Sequence, residues 1–298
     1  MTSAGRFAPS PSGELHVGNL RTAVLAWLFA RSTGRRFLMR VEDLDRARAG
    51  AEAEQLRDLA AIGVTWDGGI VRQTDREPLY AGAIAELTAA GLTYECFCTR
   101  REIQEAPSAP HAPQGAYPGT CRNLSGPERA VKRAVRPAAV RLRSAVTAAT
   151  VQDVLHGSYT GVVDDFVLRR NDGVTAYNLA VVVDDAAQGI DQVVRGDDLL
   201  PSTPRQAYLA SLLNMSVPEY AHVPLVLNAD GARLAKRDGA VTLADLAAAG
   251  IRASEVRDAL LSSVGLPAGP LGQALAVFEP ARLPREPWIW PGMAGPDA

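Results

Sequence analysis

The sequence predicts an α/β protein whose parallel sheet is interrupted by a cysteine-bearing insertion and followed by a short helical region. Three observations carry that expectation. Residues 6–41 run strand, helix, strand, the order of a βαβ unit. Residues 94–143 break the alternation and hold all three cysteines, the Pro/Ala-rich run APSAPHAPQGAYPG and a basic stretch from Arg122 to Arg143. With DDFVLRR at 164–170 apolar runs of strand length return, and helix signals take over after Ala244, ahead of a proline-rich tail.

Taken in order, residues 6–8 read as the end of a strand and the Pro/Ser/Gly cluster at 9–13 as a tight connection. From Asn19 onward Leu20, Val24, Trp27, Leu28 and Arg31 fall at helical spacing, and Gly34 is a natural stop. Phe37 to Val41 reads as a strand whose end carries Glu42 and Asp43, and ligands of such sheets gather at the carboxyl ends of strands. Helices are expected over 49–63 and 79–91. LAVVVDD and IDQVVRGDD read as strands closed by charge, the first by Asp184 and Asp185, the second with Arg195 near its end. The division that follows is 1–93 and 144–240 for the two halves of one sheet domain, 94–143 for the insertion and 241–298 for the helical region and tail.

Composition narrows the class. The chain has 298 residues, 31 basic against 33 acidic, and a net charge of −2, so no global positive field advertises a nucleic-acid partner. A local basic patch is compatible with it. The N-terminus lacks the charged and apolar regions of a signal peptide, and no apolar run approaches the roughly 18 to 20 residues of a membrane span. Three cysteines are too few, and odd in number, for a secreted disulfide framework. A cytoplasmic protein without membrane contact is expected.

The stretch HVGN at 16–19 opens the first helix. A helix N-terminus leaves backbone N–H groups unpaired and carries partial positive charge, so it suits a phosphate, and Gly18 permits close approach beside His16. The fingerprint glycines and the P-loop lysine are missing, so neither of those motifs applies. RLAKRDG at 233–239 supplies a second phosphate-directed feature, with Lys236 as a compact point charge. Arg6 and Arg195 with Glu42 suit a small dicarboxylic amino acid, two guanidinium groups for two carboxylates and one carboxylate for an ammonium. In Cys96-Phe97-Cys98 a strand would point both thiols to one face, and Cys121 after a Gly-Thr corner can close on the same metal. By residue type alone His111 is the natural fourth ligand.

These motifs carry a resemblance. HVGN and RLAKR resemble the two nucleotide signatures of the class I aminoacyl-tRNA synthetases, with Asn19 at the second histidine of the first and Ala235 at the serine of the second. RFAPSPSGELHVGNLRTA, RVEDLD and VVVDDAAQGIDQVVRGDDLLPSTPRQ are similar to the glutamyl-tRNA synthetase family over most of residues 5–240. A nearer likeness is to the short paralogue of that family, which attaches glutamate to the queuosine base in the anticodon of tRNA(Asp). Roughly 60 residues follow the lysine loop, fewer than a long helical anticodon-binding region requires.

The resemblance implies a class I Rossmann-type catalytic domain, a zinc-binding insertion and a short C-terminal helical region. It implies glutamate contacts from Arg6, Phe7, Ala8, Pro9, Ser10, Glu42, Tyr177 and Arg195, and ATP contacts from His16, Gly18, Asn19 and Lys236. His16 and Lys236 are then the catalytic pair. It implies structural Zn2+ on Cys96, Cys98, Tyr117 and Cys121, so that Tyr117 and His111 compete for the fourth place, and Mg2+ accompanying ATP. The expected activity is tRNA-independent activation of L-glutamate by a monomer that then engages the tRNA(Asp) anticodon stem-loop, the basic stretch 122–143 gripping stem phosphates. The rivals are a short synthetase charging the tRNA 3′ end, an amino-acid ligase that uses an adenylate to acylate a small amine, and a tRNA-binding module without catalysis.

Overall fold

The computed structural model describes residues 3–105, 117–232, 234 and 241–293. Strand β1 (Ala4–Phe7) is buried throughout and leads through residues 8–16 into α1 (Val17–Ser32) and β2 (Arg36–Val41). Gly5 is needed for this unit, because a Cβ there would lie 2.9 Å from the Cβ of Ala30 and push α1 off the strand. The helix is buried on almost every side, and Leu20, Leu28 and Ala30 are sealed from solvent. Truncating Leu28 to alanine would cost about 2 to 5 kcal/mol on the usual scale for such a cavity.

The chain continues through α2 (Ala51–Ala61), the two-residue β3 (Val71–Arg72), a single 3-10 turn at Gln73–Arg76 and α3 (Glu77–Ala89). Then come β4 (Thr93–Cys96), α4 (Arg100–Glu105), α5 (Gly126–Val135) and β5 (Ala139–Leu142). β6 (Ala148–Asp153) and β7 (Gly157–Val162) form a hairpin, and β8 (Val167–Arg169) pairs back onto β5. β4, β5 and β8 make a small antiparallel sheet that takes in residues on both sides of 94–143. α6 (Tyr177–Gln188), β9 (Ile190–Gly196), α7 (Thr203–Leu212), β10 (Glu219–Val223) and β11 (Val226–Leu227) complete the second half.

The large sheet has the order β3-β2-β1-β9-β10-β6-β7. Its first six strands are parallel and β7 alone is antiparallel. β1 lies between β2, which follows it, and β9, which comes some 180 residues later. The strand order therefore reverses at β1, and the crevice beyond the carboxyl ends of β1 and β9 is where such a sheet takes its ligand.

One expectation is corrected here. LAVVVDD is not a strand closed by Asp184 and Asp185; it is the body of α6, which Gly189 ends in the left-handed conformation at φ 68°. Leu179 to Asp185 are all buried, because the helix is packed between the sheet, α3 and α7. A continuous buried run of about two helical turns shows no 3.6-residue alternation to separate it from a strand.

The C-terminal region is part of the main core. α8 (Leu243–Ala248), α9 (Ala253–Ser262) and α10 (Leu271–Ala276) place Leu246, Leu260, Leu261 and Leu271 against α1. The tail then pairs through β12 (Trp288–Ile289) with β11, and Trp290 N–H donates to the carbonyl of Leu227 at 2.8 Å. WIWPG thus buttresses the strand that leads to the lysine loop.

Candidate active site and cysteine cluster

At the start of α1 the two polar residues of HVGN face each other. His16 is the N-cap; its Nδ1 accepts from Gly18 N–H at 3.1 Å, and its own N–H donates to Asn19 Oδ1 at 3.2 Å. This reciprocal capping box explains two residue choices. Asparagine at the third helical position supplies the acceptor, and a Cβ at Gly18 would come within 3.0 Å of the His16 ring. Val17 N–H donates to Val241 O at 3.1 Å, and His16 bridges to Thr242, so the segment just past the lysine loop is joined to the same helix end. Leu234 packs into the main core. Lys236 and Ala235 lie outside the described residues, as does His111.

Four of the expected glutamate contacts converge at the switch point. Arg6 on β1, Glu42 just past β2, Tyr177 at the start of α6 and Arg195 on β9 surround the same crevice with Asp185 and Tyr220. The connecting backbone is held from below: Glu42 N–H donates to Pro9 O at 3.0 Å, and Gln55 Nε2 donates to the carbonyls of Ser10 and Gly13 at 3.0 and 2.6 Å. Phe7 turns its ring into the main core, so any ligand contact it makes is through backbone. Ala8 is half-buried, Pro9 is buried and Ser10 is exposed.

Three arginines here differ in their partners. Arg40, fully buried, reaches Asp185 at 2.7 Å, Glu42 at 3.3 Å and Asp184 at 3.7 Å. Burial works against its charge, yet the three carboxylates outweigh that and raise its pKa above the ordinary arginine value. Arg6 pairs with Asp185 at 3.3 Å, its one carboxylate partner within ion-pair distance among the described residues. Burial raises the Glu42 carboxyl despite Arg40 and Arg6, whereas at Asp185 the same two cations overcome burial and lower it. Arg195 is only 5% exposed, and among the described residues no carboxylate pairs with it. Its Nε donates to His222 Nε2 at 3.0 Å, one terminal nitrogen to Thr203 Oγ1 at 2.9 Å and the other lies 3.4 Å from the Tyr177 hydroxyl. A desolvated cation with only neutral partners favours an incoming anion.

Arg40, Thr203 and His222 were not picked out from the sequence. The signal available was a charged or polar residue inside an apolar strand, as in FLMRV and EYAHV.

The cysteines assemble in a separate cluster with Tyr94, Phe97 and Tyr117. The ligand atoms of Cys96, Cys98 and Cys121 lie within 4.8 Å of one another, with 3.6 Å between the sulfurs of Cys98 and Cys121. The Tyr117 hydroxyl is 3.4 Å from Cys96 Sγ and 3.8 Å from Cys98 Sγ, and it accepts from Cys121 N–H at 2.8 Å. Tetrahedral zinc with bonds near 2.3 Å separates its sulfur ligands by about 3.8 Å, so the donor set fits that ion in type and spacing. Burial opposes ionisation of Cys96, but the Tyr117 hydrogen bond and the Arg141 charge bring its pKa below the usual thiol value. Burial and the neighbouring Cys96 push Cys98 up to about 12. Arg141 lies 3.7 Å over the Tyr117 ring and fixes its orientation.

Of the basic stretch, Arg122 pairs with Asp165, Arg133 with Glu95 and Arg136 with Glu102, while Arg141 is buried. Three of its cations are thus paired with carboxylates, while Arg129, Arg141 and Arg143 donate to carbonyl or amide oxygens.

Over residues 4–262 the chain matches the catalytic-domain model of the tRNA synthetases class I (E and Q). The glutamate-tRNA synthetase of Elizabethkingia anophelis superposes with a TM-score of 0.83 at 26% identity, over 97% of this chain and 68% of that one. Fold and crevice are thus those of a class I synthetase, an ATP-dependent ligase. A glutamyl-Q tRNA(Asp) synthetase of Nocardia farcinica is 68% identical over 287 residues, covering 96% of this chain and 92% of that protein. One of Cutibacterium acnes is 54% identical over 270 residues, covering 89% and 77%. The chain belongs to the glutamyl-Q tRNA(Asp) synthetase family.

Proposed function

We propose that this chain activates L-glutamate with ATP, without needing tRNA for that step, and transfers it to the queuosine base in the anticodon of tRNA(Asp). The observation that carries the amino-acid half is Arg195, a buried guanidinium at the switch point held, among the described residues, only by neutral groups. A glutamate side-chain carboxylate supplies the missing counter-charge, with Tyr177 beside it. Arg6 and Glu42 address the α-carboxylate and the ammonium. Glutamine would leave the Arg195 charge unmatched, at roughly 2 to 4 kcal/mol, or about 30- to 900-fold in selectivity.

In the first step the α-carboxylate attacks the α-phosphorus and pyrophosphate leaves. The N-terminus of α1, His16, Gly18 and Asn19 form one side of the nucleotide site, and the Lys236 cation is the further charge assigned to stabilising what spreads over the phosphoryl oxygens. Mg2+ arriving with ATP would neutralise phosphate charge. A hydroxyl of the queuosine cyclopentene diol then attacks the adenylate's acyl carbon, the anhydride bond breaks, and an ester forms as AMP leaves with the hydroxyl proton passing to solvent. The acceptor rests on the likeness to relatives that are named for tRNA(Asp), and an anticodon loop suits the crevice because its bases can be splayed out. Cys96, Cys98, Cys121 and Tyr117 would hold structural Zn2+, tying β4 to residues 117–121. We read the protein as a cytoplasmic monomer.

The test is glutamate-dependent ATP–pyrophosphate exchange with and without tRNA, followed by transfer of labelled glutamate to tRNA(Asp) with and without queuosine. Exchange without tRNA and label that requires queuosine are expected. Label that requires the 3′ terminal diol would make the protein a short conventional synthetase, and absence of exchange would leave a tRNA-binding module.

A further inference from the structure

His222 and Asp153 lie one strand and two strands beyond Arg195, and they are sealed from the crevice. In the sheet register His222 on β10 stands directly beside Arg195 on β9, and Asp153 ends β6 on the other side of β10. His222 Nδ1 is 2.6 Å from Asp153 Oδ2, and His222 Nε2 is 3.0 Å from Arg195 Nε. The side chains of His222 and Asp153 are wholly buried. Asp153 also accepts from the backbone N–H groups of Leu155, His156 and His222.

Donor and acceptor chemistry settles the proton. The Arg195 Nε–H can only donate, so His222 Nε2 must present a lone pair. Asp153, ionised, can only accept, so Nδ1 carries the hydrogen. The chain Asp153, His222, Arg195 is therefore satisfied at each link with a neutral imidazole in one tautomer. Thr203 Oγ1, 3.1 Å from the same Nε2 and 2.9 Å from the Arg195 terminal nitrogen, closes the arrangement.

The consequence concerns substrate binding. A carboxylate touching Arg195 directly would compete with the ligand for the guanidinium. An imidazole between them fixes the guanidinium plane through Nε while keeping the anion one ring away. We propose that His222, oriented by Asp153, is a positioning residue that aims Arg195 at the substrate side-chain carboxylate without neutralising it. This rests on the reading of Arg195 as the glutamate-binding cation.

Two substitutions separate positioning from bulk. In His222→Gln the amide oxygen can occupy the place of Nε2 and accept from Arg195. In His222→Asn the amide reaches only the place of Nδ1, so the bond to Asp153 remains and the acceptor for Arg195 is lost. In glutamate-dependent exchange, His222→Asn should raise KM for glutamate by about tenfold or more. His222→Gln should stay within about threefold of the parent, with KM for ATP unchanged in both. Equal KM for glutamate in both variants and the parent, or parallel losses that also shift KM for ATP, would overturn the inference while the functional reading stands. A parent with no exchange would sink that reading, and this inference with it. Should neither variant fold, ring-15N NMR of the parent protein decides: the neutral tautomer protonated at Nδ1 is expected for His222, and a proton on Nε2 overturns the proposal.

Discussion

Arg40 and Arg195 sit on β2 and β9, on either side of β1, both buried beneath the same crevice, and they are held in opposite ways. Arg40 is surrounded by Asp184, Asp185 and Glu42, with Gln188 accepting from it at 2.9 Å. Arg195 meets a histidine, a threonine and a tyrosine. Burial alone would rank the two alike. The identity of their partners separates a cation that completes the fold from one that awaits a ligand, because desolvation leaves an uncompensated charge with a strong preference for an anion.

The largest effect that would sharpen this contrast is on stability. Arg40→Met should destabilise the protein by about 3 to 5 kcal/mol, since it leaves buried carboxylates without their shared cation. Urea unfolding reads this directly, and a variant as stable as the parent would break the comparison. Arg195→Met should do the reverse: glutamate-dependent exchange falls by about 10² to 10³, while the unliganded protein melts at the parental temperature or above. A fall in melting temperature comparable to that of Arg40→Met would make Arg195 structural.

A smaller effect is expected at the cysteine cluster, where a metal would play the part that carboxylates play for Arg40. Metal-replete protein should carry one zinc per chain. Tyr117→Ala should lower zinc retention during dialysis against a chelator more than His111→Ala does, and the opposite ranking would return His111 to the ligand set. Smallest is Asn19→Ala, which removes one arm of the capping box and should cost about 1 kcal/mol in thermal or urea unfolding. A neutral result would mean that Asn19 serves the nucleotide alone.

The first βαβ unit was legible because its signals are local. Helical spacing from Asn19 onward and the stop at Gly34 suffice to define α1, which begins at Val17, two residues before Asn19. IDQVVRGDD was read correctly as the strand β9. LAVVVDD was not, because Leu179–Asp185 is buried at every position and shows no alternation within that run. The tail was legible only as proline-rich, since two-residue strands such as β12 have no periodicity to detect and exist only through their partner.

The candidate site divides along the same line. Sequence alone determined which residue types were available, namely the His-Val-Gly-Asn entry to a helix, the paired thiols of Cys96 and Cys98, and Arg6, Glu42 and Arg195 near strand ends. Each is encoded within a few neighbouring positions, by capping, alternation or turn chemistry. Tertiary structure decided what each charge means. His222 comes 27 residues after Arg195 and Asp153 precedes it by 42, yet parallel pairing of β9, β10 and β6 sets them in one row. No local pattern announces that row, because burial and cross-strand register, which depend on the whole sheet, determine whether an arginine is neutralised or left ready for a substrate.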